Sequence, residues 1–135
     1  MTSEHSIHFF DAQFCRQIAQ HDFAVNPFER VALPHLRGRV LDFGCGRGNL
    51  AVAAAKHGCE AVALDGSTAA IDHLRQRADV EQLAIDARVA DLRDVVITET
   101  FDAIVSIGLL MFFDCPAHCA ASPICNRRCA TAVSR

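Results

Sequence analysis

A chain of 135 residues with 51% hydrophobic side chains is long enough for one domain around one core, and too apolar for a solvated, disordered polymer. Its net charge of -3 and pI near 6.1 supply no global field to gather nucleic acid or an anionic membrane, so neither partner is expected. The apolar runs are too short to span a bilayer, and MTSEHSIHFF lacks the basic region and long apolar stretch of a secretory signal, which makes the cytoplasm the expected compartment.

In chain order, Phe10, Phe14, Ile18 and Ala19 fall near helical spacing and predict a helix over residues 10–24. Asn26-Pro27-Phe28-Glu29 reads as a helix start. Asn26 can cap, Pro27 suits the first helical position, and Glu29 sits where an acid reaches back to the cap. That helix should stop near Pro34, with Gly38 marking the next turn. Residues 39–43 then read as a short buried strand ended by Gly44, Gly46 and Gly48. Residues 49–57 are alanine-rich and helix-favouring, and Gly58 is a natural stop. Residues 60–65 predict a second strand. Ser67 can cap a helix running to about Ala78, with Ile71 and Leu74 facing inward. Residues 84–90 and 101–107 predict a third and a fourth strand. Strands alternating with helices imply an α/β fold, a parallel sheet with right-handed crossovers and helices on its faces. Ligands of such sheets bind at the carboxyl ends of the strands.

The segment Asp42-Phe43-Gly44-Cys45-Gly46-Arg47-Gly48 leaves a strand and enters a helix. Glycines there permit positive φ and remove the Cβ that would block a ligand, although an ordinary tight turn would use them too. A dinucleotide fingerprint needs glycine where this chain has Asn49, and a phosphate-cradling loop needs a Gly-Lys-Ser/Thr end that is absent. A nicotinamide-dependent oxidoreductase therefore fits poorly. Asp65 closes the second strand, followed by Gly66 and Ser67. An acid there can accept from both ribose hydroxyls, and it stands one strand-helix-strand unit after the glycine loop. For Ser67 a plain helix cap is the favoured reading. Asp91, after the third strand, is either a turn residue or a ligand acceptor.

The D-x-G-x-G-x-G pattern resembles the first motif of class I S-adenosylmethionine-dependent methyltransferases, and residues 40–113 resemble the cofactor-binding half of that Rossmann-like fold. The resemblance implies S-adenosyl-L-methionine as cofactor, with no metal. Asp42, Gly44, Cys45, Gly46 and Gly48 would hold it at the loop, and Asp65, Gly66 and Ser67 at the ribose. Asp91 would accept from the adenine amino group and Leu92 would meet the ring through its backbone. Ser106 would close the strand that lines the methyl-transfer site. The negative charge of Asp42 suits an ammonium and a sulfonium. The implied activity is methyl transfer to a small-molecule acceptor. The alternative is a non-catalytic remnant that binds only cofactor or a partner. Residues 101–113 (FDAIVSIGLLMFF) are similar to the tellurite-resistance-type branch of the family.

No side chain is placed to be nominated as a general base. His57 and His73 fall on expected exposed helix faces. His5 and His8, before Phe9 and Phe10, could belong to a flap over the cofactor. Cys45 reads as a small filler rather than a reactive thiol, and Asp102 as structural, at the far end of its strand.

The family sheet normally has seven strands, and the pattern stops after residue 113. Residues 1–113 are therefore expected to be an incomplete class I domain with about four strands, and residues 114–135 an off-pattern, Cys-rich tail. The Cys, Ala, Ser, Pro and Arg bias of the tail looks like a GC-rich gene read in a shifted frame. A zinc site from Cys115, Cys119, Cys125 and Cys129 with His118 is the rival reading, disfavoured by the short loop between the cysteine pairs. An incomplete sheet leaves an apolar edge, so low stability and self-association through that edge are expected.

Overall fold

The computed structural model describes residues 3–20, 24–107 and 130–131. Helix α1 spans Ser3–Ala19 and gives way to a turn at Gln20, so it lies N-terminal of the range its apolar spacing predicts. Helix α2, Pro27–Ala32, starts on the expected capping box. The Asn26 side chain accepts from the Glu29 N–H at 2.9 Å and the Glu29 carboxylate accepts from the Asn26 N–H at 2.8 Å. The helix ends at Ala32, just before Pro34, as expected. Pro34 sits inside a 3₁₀ turn, Leu33–His35, near the start where a missing N–H costs nothing.

The strands follow: β1 (Arg39–Phe43), β2 (Glu60–Asp65), β3 (Ile85–Val89) and β4 (Ala103–Val105). Their order is β3-β2-β1-β4, and every pairing is parallel. The register sets Asp42 of β1 opposite Ala63 of β2 on one side and Val105 of β4 on the other, so the carboxyl ends of these strands lie together. A short strand β5, Ala130–Thr131, pairs with β4 and makes the sheet five-stranded. No strand was expected in the tail. Two residues are too few to show an alternating pattern, and the unpaired edge of β4 offers them backbone partners.

Helices α3 (Asn49–Lys56) and α4 (Thr68–Glu81) join the strands by crossovers. The small side chains of Ala51, Ala61, Ala63 and Ala87 let these helices approach the sheet closely around Ile71 and Leu74. Leu41, Ile71 and Leu74 are fully enclosed, each contributing about 1.5–3 kcal/mol. Helix α4 runs past Ala78 to Glu81 before Gln82 turns left-handed at φ 52°. A second cluster, Leu41, Phe43, Val62, Leu64 and Ile104, is covered by Leu92, Val95, Ile97 and Phe101 from the β3–β4 connection. Phe101 thus packs beside the sheet instead of opening β4. Asp102 is structural, as its position suggested: its carboxylate accepts the Arg39 N–H at 2.8 Å where β1 begins.

Candidate cofactor site at the carboxyl ends of the strands

The loop after β1 spends its N–H groups on the protein itself. Gly44 and Cys45 both donate to the Leu64 carbonyl (2.8 and 3.0 Å), and Gly48 donates to the Cys45 carbonyl (2.9 Å). Gly46 donates to Asp65 Oδ2 at 2.8 Å. A phosphate would find these donors taken, which agrees with the absence of a phosphate-binding motif. Gly44, Gly46 and Gly48 have φ of 80°, 54° and 75°, a backbone that only glycine adopts without strain. A Cβ on Gly46 would lie 3.2 Å from the Phe14 ring, and one on Gly48 would collide with the Leu74 methyls. These two bare positions make room for α1 and α4.

Asp65 ties the two loops together. Its Oδ2 accepts from Gly46 and its Oδ1 from the Ser67 N–H at 2.9 Å. Burial raises its pKa, and N–H groups of Ser67, Gly46 and Gly66 oppose that rise. The carboxylate keeps acceptor capacity for a ligand hydroxyl beyond these backbone donors. Ser67 is the cap of α4, its Oγ accepting from the Ala70 N–H at 3.2 Å. The same hydroxyl donates to Asp11 of α1. Helix α1 therefore lies over the site, with Phe14 on Gly46 and Phe10 stacked on Phe14 at 6.0 Å. Sequence reasoning anticipated a flap from this segment but missed Asp11. The signal available was its place beside Phe10 and Phe14, within one turn of the same helix.

Asp42 is the anomaly. It is 5% exposed, and its Oδ2 has no hydrogen-bond partner among the described residues. Burial pushes its pKa up to about 8, with the charges of Glu29 and Asp65 adding to the effect. Ser106, just after the neighbouring strand β4, also keeps a buried hydroxyl oxygen without a partner among the described residues. Buried polar atoms are normally paired, so unpaired ones at adjacent strand ends mark a place for something else. The donor set, carboxylates with loop amides already spent, fits a ligand that brings a cation and hydroxyl groups.

The other candidates sort differently. Asp91 is exposed and clasped by Arg93, whose Nε and Nη2 donate at 3.0 and 2.6 Å; those hydrogen bonds lower its pKa. The Asp91 carbonyl also closes a turn to Asp94 and Val95. The Leu92 side chain packs on the Leu41–Leu64 cluster, leaving its backbone for any ligand contact. Cys45 is buried in the α3–α4 core, where burial pushes its thiol well up and leaves it unreactive. His57 is exposed as expected, but His73 is half-buried, and burial together with Arg77 and Arg47 lowers its pKa. Among the described residues no group of His, Cys, Asp or Glu is arranged for a metal ion, and no helix is long and apolar enough to cross a membrane. The tail cysteines, His118 and the run 108–113 lie outside the described residues.

Residues 40–130 match the family described as a methyltransferase domain. The chain is similar to the ubiquinone biosynthesis O-methyltransferase of Rhodopseudomonas palustris (strain BisB5), 35% identical over 107 residues that cover 74% of this chain and 42% of that protein. It is also similar to the 23S rRNA (uracil(1939)-C(5))-methyltransferase of Halomonas elongata, 45% identical over 56 residues, or 42% of this chain and 12% of that protein. Among solved structures, a TehB-like SAM-dependent methyltransferase from Corynebacterium glutamicum superposes with a TM-score of 0.59 at 29% identity, covering 80% of this chain and 57% of that one. The chain spans less than half the length of these two curated relatives. With an rRNA methyltransferase among the relatives, the exclusion of nucleic acid is withdrawn. Net charge reports the global field and not the local one at an acceptor groove.

Proposed function

Because the chain belongs to the methyltransferase-domain family, we propose that it binds S-adenosyl-L-methionine where β1 and β2 end and transfers a methyl group to a small-molecule acceptor. The observation that carries this reading is the buried, unpartnered Oδ2 of Asp42. A buried acid with an unpartnered oxygen is costly until a proton or a cation reaches it. Asp42 takes the charged methionine end. Asp65, already oriented by the two loops, accepts from the ribose hydroxyls. Gly44, Cys45, Gly46, Gly48, Gly66 and Ser67 hold the backbone that presents these two acids. Asp91 and Leu92 serve the adenine, with the Asp91 carboxylate shared with Arg93. Ser106 lines the transfer side.

When bound, the cofactor supplies a methyl group already activated on a sulfonium, so the protein's remaining work is positioning. Helix α1, seated on the glycine loop, keeps water from that space. The names of the ubiquinone-pathway relatives support a small-molecule acceptor. Titration calorimetry with S-adenosylhomocysteine, beside an Asp65→Ala variant checked for folding by circular dichroism, tests the reading. Loss of two charge-assisted hydrogen bonds should weaken binding about a hundredfold, and equal binding by a folded variant would overturn the ribose assignment. Label transfer from S-adenosylmethionine to thiol, oxyanion, phenol and amine acceptors separates an enzyme from a protein that only binds.

A further inference from the structure

Glu29 has a second use beyond the start of its helix. The segment before α2 is fixed beside the glycine loop, because Asn49 Nδ2, at the start of α3, donates to the Ala24 carbonyl at 3.2 Å. Ala32 and Leu33 then pack with Leu50, Val105 and Ile107, at the start of α3 and the end of β4. The capping box immobilises the carboxylate itself, one oxygen accepting the Asn26 N–H at 2.8 Å. Glu29 is half-buried, and its charge acts on Asp42, whose Oδ2 is enclosed and unpartnered. Asp65 acts on Asp42 from β2, Asp11 acts on Asp65 from α1, and Arg47 acts on Glu29 from the loop. Acids outnumber the cation. Two acids set against each other in a half-dry site cost the fold free energy until a proton or a positive group relieves them, and a ligand cation can take the proton's place.

We propose that Glu29 is a cofactor-binding residue that, together with Asp42, holds the ammonium group at the methionine end of the cofactor. The inference rests on the cofactor reading above and adds a contact that the sequence disguised as a helix cap. The capping box becomes a positioning device, since one carboxylate oxygen is spent on Asn26 and the other is left for the ligand.

The test compares two ligands and one variant by titration calorimetry. S-adenosylhomocysteine carries the amino-acid end; 5′-methylthioadenosine keeps the nucleoside and thioether but lacks it. In Glu29→Gln the amide oxygen still accepts from Asn26, so the helix start survives. The variant should bind S-adenosylhomocysteine about tenfold more weakly and 5′-methylthioadenosine as tightly as the parent chain does. Unchanged affinity for S-adenosylhomocysteine overturns the proposal, and so does an equal loss for both ligands, which a merely structural role would produce. A parent chain that binds neither ligand instead overturns the cofactor reading beneath it.

Discussion

Where β1 begins, Glu99 receives Arg39 at 2.7 Å and Arg88 at 2.8 Å, and these two guanidiniums hold its carboxyl down at about 2. Where β1 ends, Asp42 receives no cation from the described residues and is pushed up to about 8. One acid sits in the connection before β4 and the other at the end of β1, yet the first is balanced by the protein and the second is not. The balanced group is half-buried and serves the fold. The unbalanced one is enclosed and costs the fold free energy, which is the usual signature of a site kept for binding. An acid that its own chain does not neutralise is thus more informative about function than any number of well-paired ones.

The contrast can be broken most severely at the loop beside Asp42. Gly48→Ala combines a φ of 75° with a collision against Leu74. It should destabilise the chain by about 2–4 kcal/mol in urea unfolding. A wild-type midpoint would mean that packing does not set the loop geometry.

Asp42→Asn sharpens the contrast. The folded-state pKa of Asp42, about 8, lies above its ordinary value of 3.8. The folded chain therefore holds a proton that the unfolded chain has lost, and stability falls as pH rises from about 4 towards 8. The asparagine variant lacks that slope. At pH 8 it should melt higher than the parent, by about 4 °C for each kcal/mol relieved, while binding S-adenosylhomocysteine more weakly. Parallel melting profiles of parent and variant between pH 5 and 9 would refute the assignment.

The smallest effect is expected at the balanced acid. Glu99→Gln removes partly solvated ion pairs, so melting should drop slightly at neutral pH, less so in salt, and cofactor affinity should not change. Here the sign is reversed. The pKa of Glu99 is depressed below 4.5, so its contribution is present above that pH and disappears as pH falls towards 2. Parent and variant should converge in acid, and a gap that persists there would show that the network stabilises through packing.

Much of the frame was legible in the chain. β1 and β2 fall on the residues their apolar runs predict, because glycine loops and helix caps bound them locally. The capping box at Asn26 and Glu29 and the cap at Ser67 were readable for the same reason. Helix α1 was displaced from its predicted range, since its place depends on Phe14 meeting Gly46 and Asp11 meeting Ser67. The clasp of Arg93 on Asp91 and the half-burial of His73 were visible only in the structure.

By itself, then, the sequence determined the α/β alternation, the glycine loop with its required positive φ, and the acids that end β1 and β2. Those features depend on residues within a few positions of one another. Only the tertiary structure decided which oxygen was left without a partner, which glycines serve packing, and which helix covers the loop. Each of those outcomes is a distance between segments far apart in the chain, and local spacing carries no record of it.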